Sequence, residues 1–185
     1  MTAAHDVSRV TYEVLDASAF AAALDELGEI LADAVESGAS VNFVLPFSIA
    51  DGVAWWQGRL GDVANGAIRP IVARIDGRIE GVTLLVLALN PNSPHRAEVQ
   101  KVLVHRRARG HGIGTGLMTA VEDLARSEGR WLLILDTFSG SDAERLYRRL
   151  GWIEVGVIPD HSVLTDGVLA PATIFRKDLR DAEGR

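Results

Sequence analysis

The sequence predicts an α/β protein in which one mixed, mostly antiparallel sheet of about seven strands carries about four helices. Three observations lead there. Alternating or β-branched runs of strand length recur along the chain. Between them lie segments whose apolar residues return at helical spacing. The order is one strand, two helices, three strands, then helix, strand, helix and two strands, which suits a single sheet layer with helices packed on it.

The elements follow in order. Residues 7–15 alternate and are rich in β-branched side chains, as in a first strand. Asp16 or Ser18 caps a helix running to about Ser37, with Phe20, Leu24, Leu27, Leu31 and Val35 on one face and Gly38 as its stop. After a looser stretch, 39–47, Ser48 is an N-cap for a second helix that contains Trp55, Trp56 and Leu60. Residues 70–75 and 79–89 read as strands, joined by the hairpin turn Asp76-Gly77. The loop 90–95, NPNSPH, is turn-rich, and 97–104 is a further strand. A basic, glycine-rich loop leads into a helix from about 112 to 128. Residues 131–135 form a short unbroken apolar run, the pattern of a strand buried on both faces. A helix over 141–150 stops at Gly151, and 152–158 and 172–177 are the last two strands.

The 185 residues suit one domain, 1–185, and no repeat or low-complexity linker divides them. With no cysteine, a disulfide framework, a thiolate zinc site and a cysteine nucleophile are all excluded. The histidines, among them His5, show no metal-ligand spacing, so no metal is expected. A net charge of −6 argues against nucleic acid or an anionic membrane as partner. The first ten residues lack the blocks of a signal peptide, and the longest apolar run, 82–89, is too short to span a bilayer. A cytoplasmic protein is expected.

The most informative segment is 102–116, VLVHRRARGHGIGTG. A hydrophobic strand runs into three arginines, then glycines, then a helix with Ile113, Leu117, Val121 and Leu124 on one side. Glycines let backbone N–H groups approach an anion, and the helix N-terminus adds unpaired N–H groups and the positive end of its dipole. Arg106, Arg107 and Arg109 are available as charged forks. The Gly-Lys-Ser/Thr ending of a nucleotide loop is missing, as is a dinucleotide fingerprint after the first strand. A glycine-rich turn with solvated arginines is the plain alternative.

Arg109-Gly110-His111-Gly112-Ile113-Gly114 resembles the Q/R-x-x-G-x-G/A signature of the GNAT acetyltransferases, and Leu146-Tyr147 with Leu150-Gly151-Trp152 resembles that family's L-Y-x-x-x-G-F segment. Many members carry a proline where His105 stands. RAEVQKVLV (96–104), LDT (135–137) and GASVNF (38–43) are similar to a toxin-acetylating branch of the family, with the likeness covering nearly the whole chain. The resemblance implies a sheet splayed at an acetyl-CoA site. It implies that Val102, Leu103 and Val104 hold the pantetheine arm. Arg109, Gly110, His111 (through its backbone N–H), Gly112, Ile113, Gly114 and Thr115 would hold the pyrophosphate. Homodimers are frequent in the family, although no oligomerisation signal is legible here.

Thioester aminolysis needs an unprotonated amine, donors for an oxyanion and help for the departing thiolate. Tyr147 matches the family's general-acid position, against the alternative of a core tyrosine with a bonded hydroxyl. Asp136 ends a buried strand and is a candidate base, unless it caps the next turn. Glu98, on the same strand face as Gln100, is a second candidate base, with a salt bridge to an arginine equally open. A positive field is expected to depress the pKa of His105 and His111, while His95 and His161 are expected to be solvated. Of Trp55 and Trp56, one is expected to pack inward and the other to line an acceptor pocket or a contact between copies. Asp25, Glu26, Glu29 and Asp33 read as a solvated helix face. The acceptor, expected to be a small-molecule amine, would enter between 38–47, Asp136 and the loop 161–171. The alternatives are a non-catalytic CoA-binding sensor and a peptide or protein N-acetyltransferase.

Overall fold

A computed structural model describes residues 10–180. Its strands are β1 (Thr11–Val14), β2 (Ile68–Ile75), β3 (Arg78–Leu87), β4 (Arg96–Val104), β5 (Leu132–Phe138), β6 (Ile153–Val163) and β7 (Leu169–Asp178). They form one seven-stranded sheet in the order β1-β2-β3-β4-β5-β7-β6. Every neighbouring pair is antiparallel except β4 with β5. The mixed, mostly antiparallel sheet is as the sequence predicted. The first three residues of the expected opening strand lie outside the described residues.

The helices are α1 (Ala17–Ala22), α2 (Leu24–Glu36), α3 (Ile49–Gln57), α4 (Leu60–Ala64), α5 (Ile113–Ser127) and α6 (Asp142–Arg149). Both helices predicted before residue 65 are therefore broken, at Ala23 and at Gly58–Arg59. The breaks let four short segments follow the twisted sheet. Asp16, Ser48 and Ser141 each cap a helix through the side chain, accepting from Ala19, Asp51 and Glu144 N–H groups.

Strand alternation divides the core between the two faces of the sheet. Ile71, Ala73, Leu85, Val99, Leu133 and Phe175 pack with Leu117 and Val121 of α5. Val72, Val82, Leu84 and Leu103 pack with Phe20, Leu27 and Trp56 of α1–α3. β5 is less enclosed than its apolar run suggested, with Leu133 and Leu135 buried but Leu132 and Ile134 only half-buried.

Two features of β4 create the site. Its parallel pairing with β5 covers only Arg96, Ala97 and Glu98, opposite Leu132, Leu133 and Ile134, after which the strands separate. Opposite β3, Gln100 pairs with Leu84 but Leu103 pairs with Val82, so β4 spends one extra residue on the step. That residue sits at Lys101, whose φ of 53° lies in the left-handed region. The bulge reverses the alternation: Ala97 and Val99 face α5, whereas after it Leu103 faces the other layer and Val102 and Val104 face α5.

Candidate active site

The separating strands enclose a cavity of about 690 Å³. It is lined on one side by Glu98–Val104 of β4 and on the other by Asp136, Thr137 and Phe138 of β5. The start of α5 and Tyr147 of α6 close one end, and residues 38–42 the other. Tyr147, Asp136 and Glu98, predicted from separate elements, thus open into one space. So do Val102, Leu103, Val104, Arg109, Gly110, Gly112, Ile113, Gly114 and Thr115.

The N-terminus of α5 suits an anion. Gly110 and Gly112 hold φ values of 83° and 76°, which a side chain would strain. Gly112 is the N-cap and supplies no side-chain acceptor, and the first turn of α5 has no acidic residue. The opening N–H groups of α5 thus face the cavity without the protein carboxylate or hydroxyl that caps α1, α3 and α6. Leucine or valine would not serve an anion here; backbone N–H groups and a guanidinium do, and this donor set fits a pyrophosphate. His111 is absent from the lining: its ring Nδ1 lies 3.0 Å from the Arg109 carbonyl and 3.3 Å from that of Ala108.

Only one of the three arginines remains for a ligand. Arg106 pairs with Asp33 and, at 2.5 Å, with Glu36. Arg107 makes bonds of 2.8 and 2.9 Å to Glu80 and one of 2.6 Å to Glu29. Arg109 makes only a longer contact with Asp33, at 3.8 Å, and lines the cavity, steadied by Ser37 Oγ at 2.8 Å and the Val104 carbonyl at 3.1 Å. The acidic side of α2 is accordingly not a solvated face. Asp33 is buried and Glu26 accepts from the Ile79 N–H, because this helix docks the basic loop onto the sheet. The pKa of His105 is lowered, chiefly by burial; Asp33 opposes that, and Arg107 adds to it. The positive field predicted from sequence is therefore the lesser cause.

Tyr147 is buried against Trp152 and Phe175, with ring centroids 6.1 Å away in each case. Its hydroxyl has no hydrogen-bond partner among the described residues, unlike a tyrosine held only for the core. Burial, and then the negative charge of Asp136, push its pKa well above that of a free phenol. Asp136 lies inside β5, two residues before the strand ends at Phe138, and the cap of α6 is Ser141, which accepts from Glu144 N–H at 3.0 Å. Glu98 accepts from Gln100 Nε2 at 2.9 Å, as their shared strand face predicted, and makes no ion pair among the described residues.

Sequence reasoning missed Lys101. It lies at the bulge with its Nζ 3.1 Å from the Val41 carbonyl, 5.0 Å from the Trp55 ring and 5.8 Å from the Phe43 ring. Its pKa is pushed down to about 8, first by burial, with Arg59 adding to the effect and Asp136 and Glu98 opposing it. The signal was available: in AEVQKVLV the alternation fails at Gln100-Lys101, where two polar residues adjoin. Trp56 is fully buried and donates to the Leu27 carbonyl at 2.8 Å, while Trp55 faces a cavity, the division predicted for the pair. The segment 161–171 is mostly strand rather than loop and lies outside the cavity lining; its turn reaches the 38–47 segment through Leu45 N–H and the Thr165 carbonyl. His95 is not free in solvent but stacks on Trp131, centroids 4.5 Å apart.

The chain matches the acetyltransferase (GNAT) family over residues 33–152. An N-acetyltransferase from Staphylococcus aureus Mu50 shares 17% identity and a TM-score of 0.76, with 94% of this chain and 100% of that one covered. A Salmonella typhimurium structure, described as an acetyltransferase with its cofactor acetyl-CoA, shares 22% identity at a TM-score of 0.75, covering 94% and 96%. One described as a phosphinothricin N-acetyltransferase shares 19% identity at a TM-score of 0.75, covering 94% and 100%. These likenesses establish the fold. The family match goes further: the chain belongs to the GNAT acetyltransferases. It is accordingly an acetyltransferase whose acetyl donor is acetyl-CoA. No described helix is long and apolar enough to cross a membrane.

Proposed function

We propose that this enzyme, one domain working in the cytoplasm, moves the acetyl group of acetyl-CoA directly onto an amine of a small molecule. Tyr147 is the general acid and Asp136 or Glu98 the base. The observation that carries this reading is that a neutral, unpartnered phenol and two carboxylates open into the same fork of the sheet as the uncapped start of α5.

Each residue has a task. Arg109 and the backbone N–H groups from Gly110 to Thr115, that of His111 included, hold the pyrophosphate. Past Glu98 the edge of β4 is released from β5, so backbone groups of Val102, Leu103 and Val104 on that edge can bind the pantetheine arm and polarise the thioester carbonyl, while the Val104 carbonyl accepts from Arg109. The acceptor arrives as an ammonium, and a carboxylate at Asp136 or Glu98 takes its proton. The amine then attacks the carbonyl carbon, the C–S bond breaks, and the raised pKa of Tyr147 keeps a hydrogen on its oxygen to meet the charge growing on sulfur. With no cysteine in the chain, a cysteine acyl-enzyme plays no part.

The acceptor class is drawn from likeness. The segments 38–43, 96–104 and 135–137 resemble tabtoxin resistance protein, which acetylates a β-lactam toxin, and one structural neighbour is described as a phosphinothricin N-acetyltransferase. A toxin or antibiotic amine is therefore our first choice. A homodimer through the sheet edge is supported by β6, the terminal strand, which exposes Ile153, Val155 and Val157. The decisive experiment is release of CoA across a panel of amines by wild type and Tyr147→Phe. Turnover that drops about a hundredfold in the variant, with CoA affinity unchanged, is expected. Tight CoA binding without turnover on any amine identifies a sensor instead, and turnover on peptides alone moves the acceptor class.

A further inference from the structure

A smaller cavity of about 380 Å³ adjoins the fork and shares Asn42, Gln100 and Lys101 with it. Its other polar groups are Arg59, the residue between α3 and α4, and Asp62. Arg59 and Lys101 converge on the same indole: the guanidinium lies 4.8 Å and the ammonium 5.0 Å from the Trp55 ring centre. Neither cation has a carboxylate within ion-pair distance among the described residues, and Asp62 does not serve as one. The Arg59 Nε is buried and has no hydrogen-bond partner among the described residues. Lys101 has a single neutral acceptor, the Val41 carbonyl.

Burying like charges together, one with an orphaned N–H, is costly unless an opposite charge joins them. Elsewhere the same chain spends acidic residues freely on this need, as with Arg106 and Arg107. Here it leaves a cavity. The cavity opens at Gln100, which bonds the candidate base Glu98, so a molecule lying across both spaces meets carboxylates at one end and cations at the other. We propose that the acetyl acceptor is an amine that also carries an oxyanion, a carboxylate or a phosphorus oxyanion, and that Arg59 and Lys101 bind that oxyanion. This rests on the acetyl-transfer reading above and gives it a substrate class, amino-acid-like zwitterions. Trp55 holds the two cations in place through its ring face.

The test compares acceptors that share one amine. Amino acids, their carboxamides and the matching aminoalkyl phosphonates are assayed for CoA release. The free acid or the phosphonate should exceed the amide at least about thirtyfold in kcat/KM, mainly through KM, and the better of the two identifies the oxyanion. Arg59→Gln should bring acid and amide within a few-fold of each other, mainly by raising the KM of the acid, and Arg59→Lys should restore part of the preference. Amides used as well as acids, or an acid preference untouched in Arg59→Gln, would overturn the proposal. Binding supplies a readout apart from turnover: the N-acetyl acids should bind the CoA-saturated enzyme and their amides should not, and failure of every acid to bind also overturns it. Turnover of amides alone defeats only this inference, whereas CoA binding with no turnover of any amine defeats the transferase reading beneath it.

Discussion

Replacing Lys101 by methionine should make the protein more stable at neutral pH while weakening it as an enzyme. The side chain is largely enclosed and its pKa is lowered from 10.5 to about 8. At about 1.4 kcal/mol per pKa unit, holding the charged form in the fold costs about 3 kcal/mol. Methionine keeps much of the volume and removes that cost. It forfeits the bond to the Val41 carbonyl, about 1 kcal/mol, and contacts with two aromatic faces, about 1 kcal/mol together. The balance is a gain of about 1 kcal/mol. The pH dependence carries the sharper signature. The unfolded lysine binds its proton more tightly than the folded one, so native stability rises with pH between about 8 and 10.5. The cost is complete below the folded pKa and vanishes above the unfolded one. By pH 10 most of it is relieved, so the variant should then be the less stable protein by about 1–2 kcal/mol. Urea unfolding of both proteins at the two pH values measures this. A variant already weaker at neutral pH, or a difference that stays the same at pH 10, refutes the reasoning.

Three other outcomes are expected. Arg109→Ala should raise the KM for acetyl-CoA about tenfold with little loss of stability, while Arg106→Ala and Arg107→Ala should lower stability by about 1–3 kcal/mol and leave that KM nearly unchanged, because their charges are spent on α2 and Glu80. A methyl at Gly116 would collide with the Tyr12 hydroxyl and ring, so Gly116→Ala should destabilise by about 1–3 kcal/mol in thermal unfolding, and adding Tyr12→Ala should recover part of the loss relative to Tyr12→Ala alone. Asp136→Asn and Glu98→Gln, compared through the pH profile of kcat/KM, should part the two candidate bases: the variant that loses the acidic limb has lost the base.

Much of the fold was legible because period and punctuation agree. Asp76-Gly77 between alternating runs gives the β2–β3 hairpin, and Ile113, Leu117 and Val121 give the buried stripe of α5. The break at Ala23 was hidden, since the apolar spacing of Phe20, Leu24 and Leu27 runs through it without a proline or glycine to mark it, whereas Gly58 stood at the second break as a signal. Gly110, Gly112, Gly114 and Tyr147 stood out as motif residues, and the structure brings them to one cavity. The fates of the arginines were not. Arg106, Arg107 and Arg109 are equivalent in sequence, and it is the placement of Glu29, Asp33 and Glu36 along one side of α2, with Glu80 of β3, that holds two of them tightly while the third, with only a longer contact to Asp33, reaches the cavity.

The bulge at Lys101 ties the two halves of the site to one cause. A bulge raises local twist and bends its strand. Upstream of it β4 is held by β5 at Arg96, Ala97 and Glu98; downstream it is not, though β5 continues to Phe138. The extra residue also reverses the facing of Val102 and Val104, so the backbone we propose for the pantetheine arm and the lysine we propose for the acceptor's oxyanion arise from the same insertion. Deleting Lys101 is therefore a different perturbation from replacing it. Replacement should cost acceptor affinity and spare acetyl-CoA binding. Deletion would restore regular alternation and extend pairing toward β5, closing the fork, and should abolish acetyl-CoA binding in a chain that still unfolds cooperatively. Retention of acetyl-CoA affinity in the deletion variant would separate the fork from the bulge and break this link.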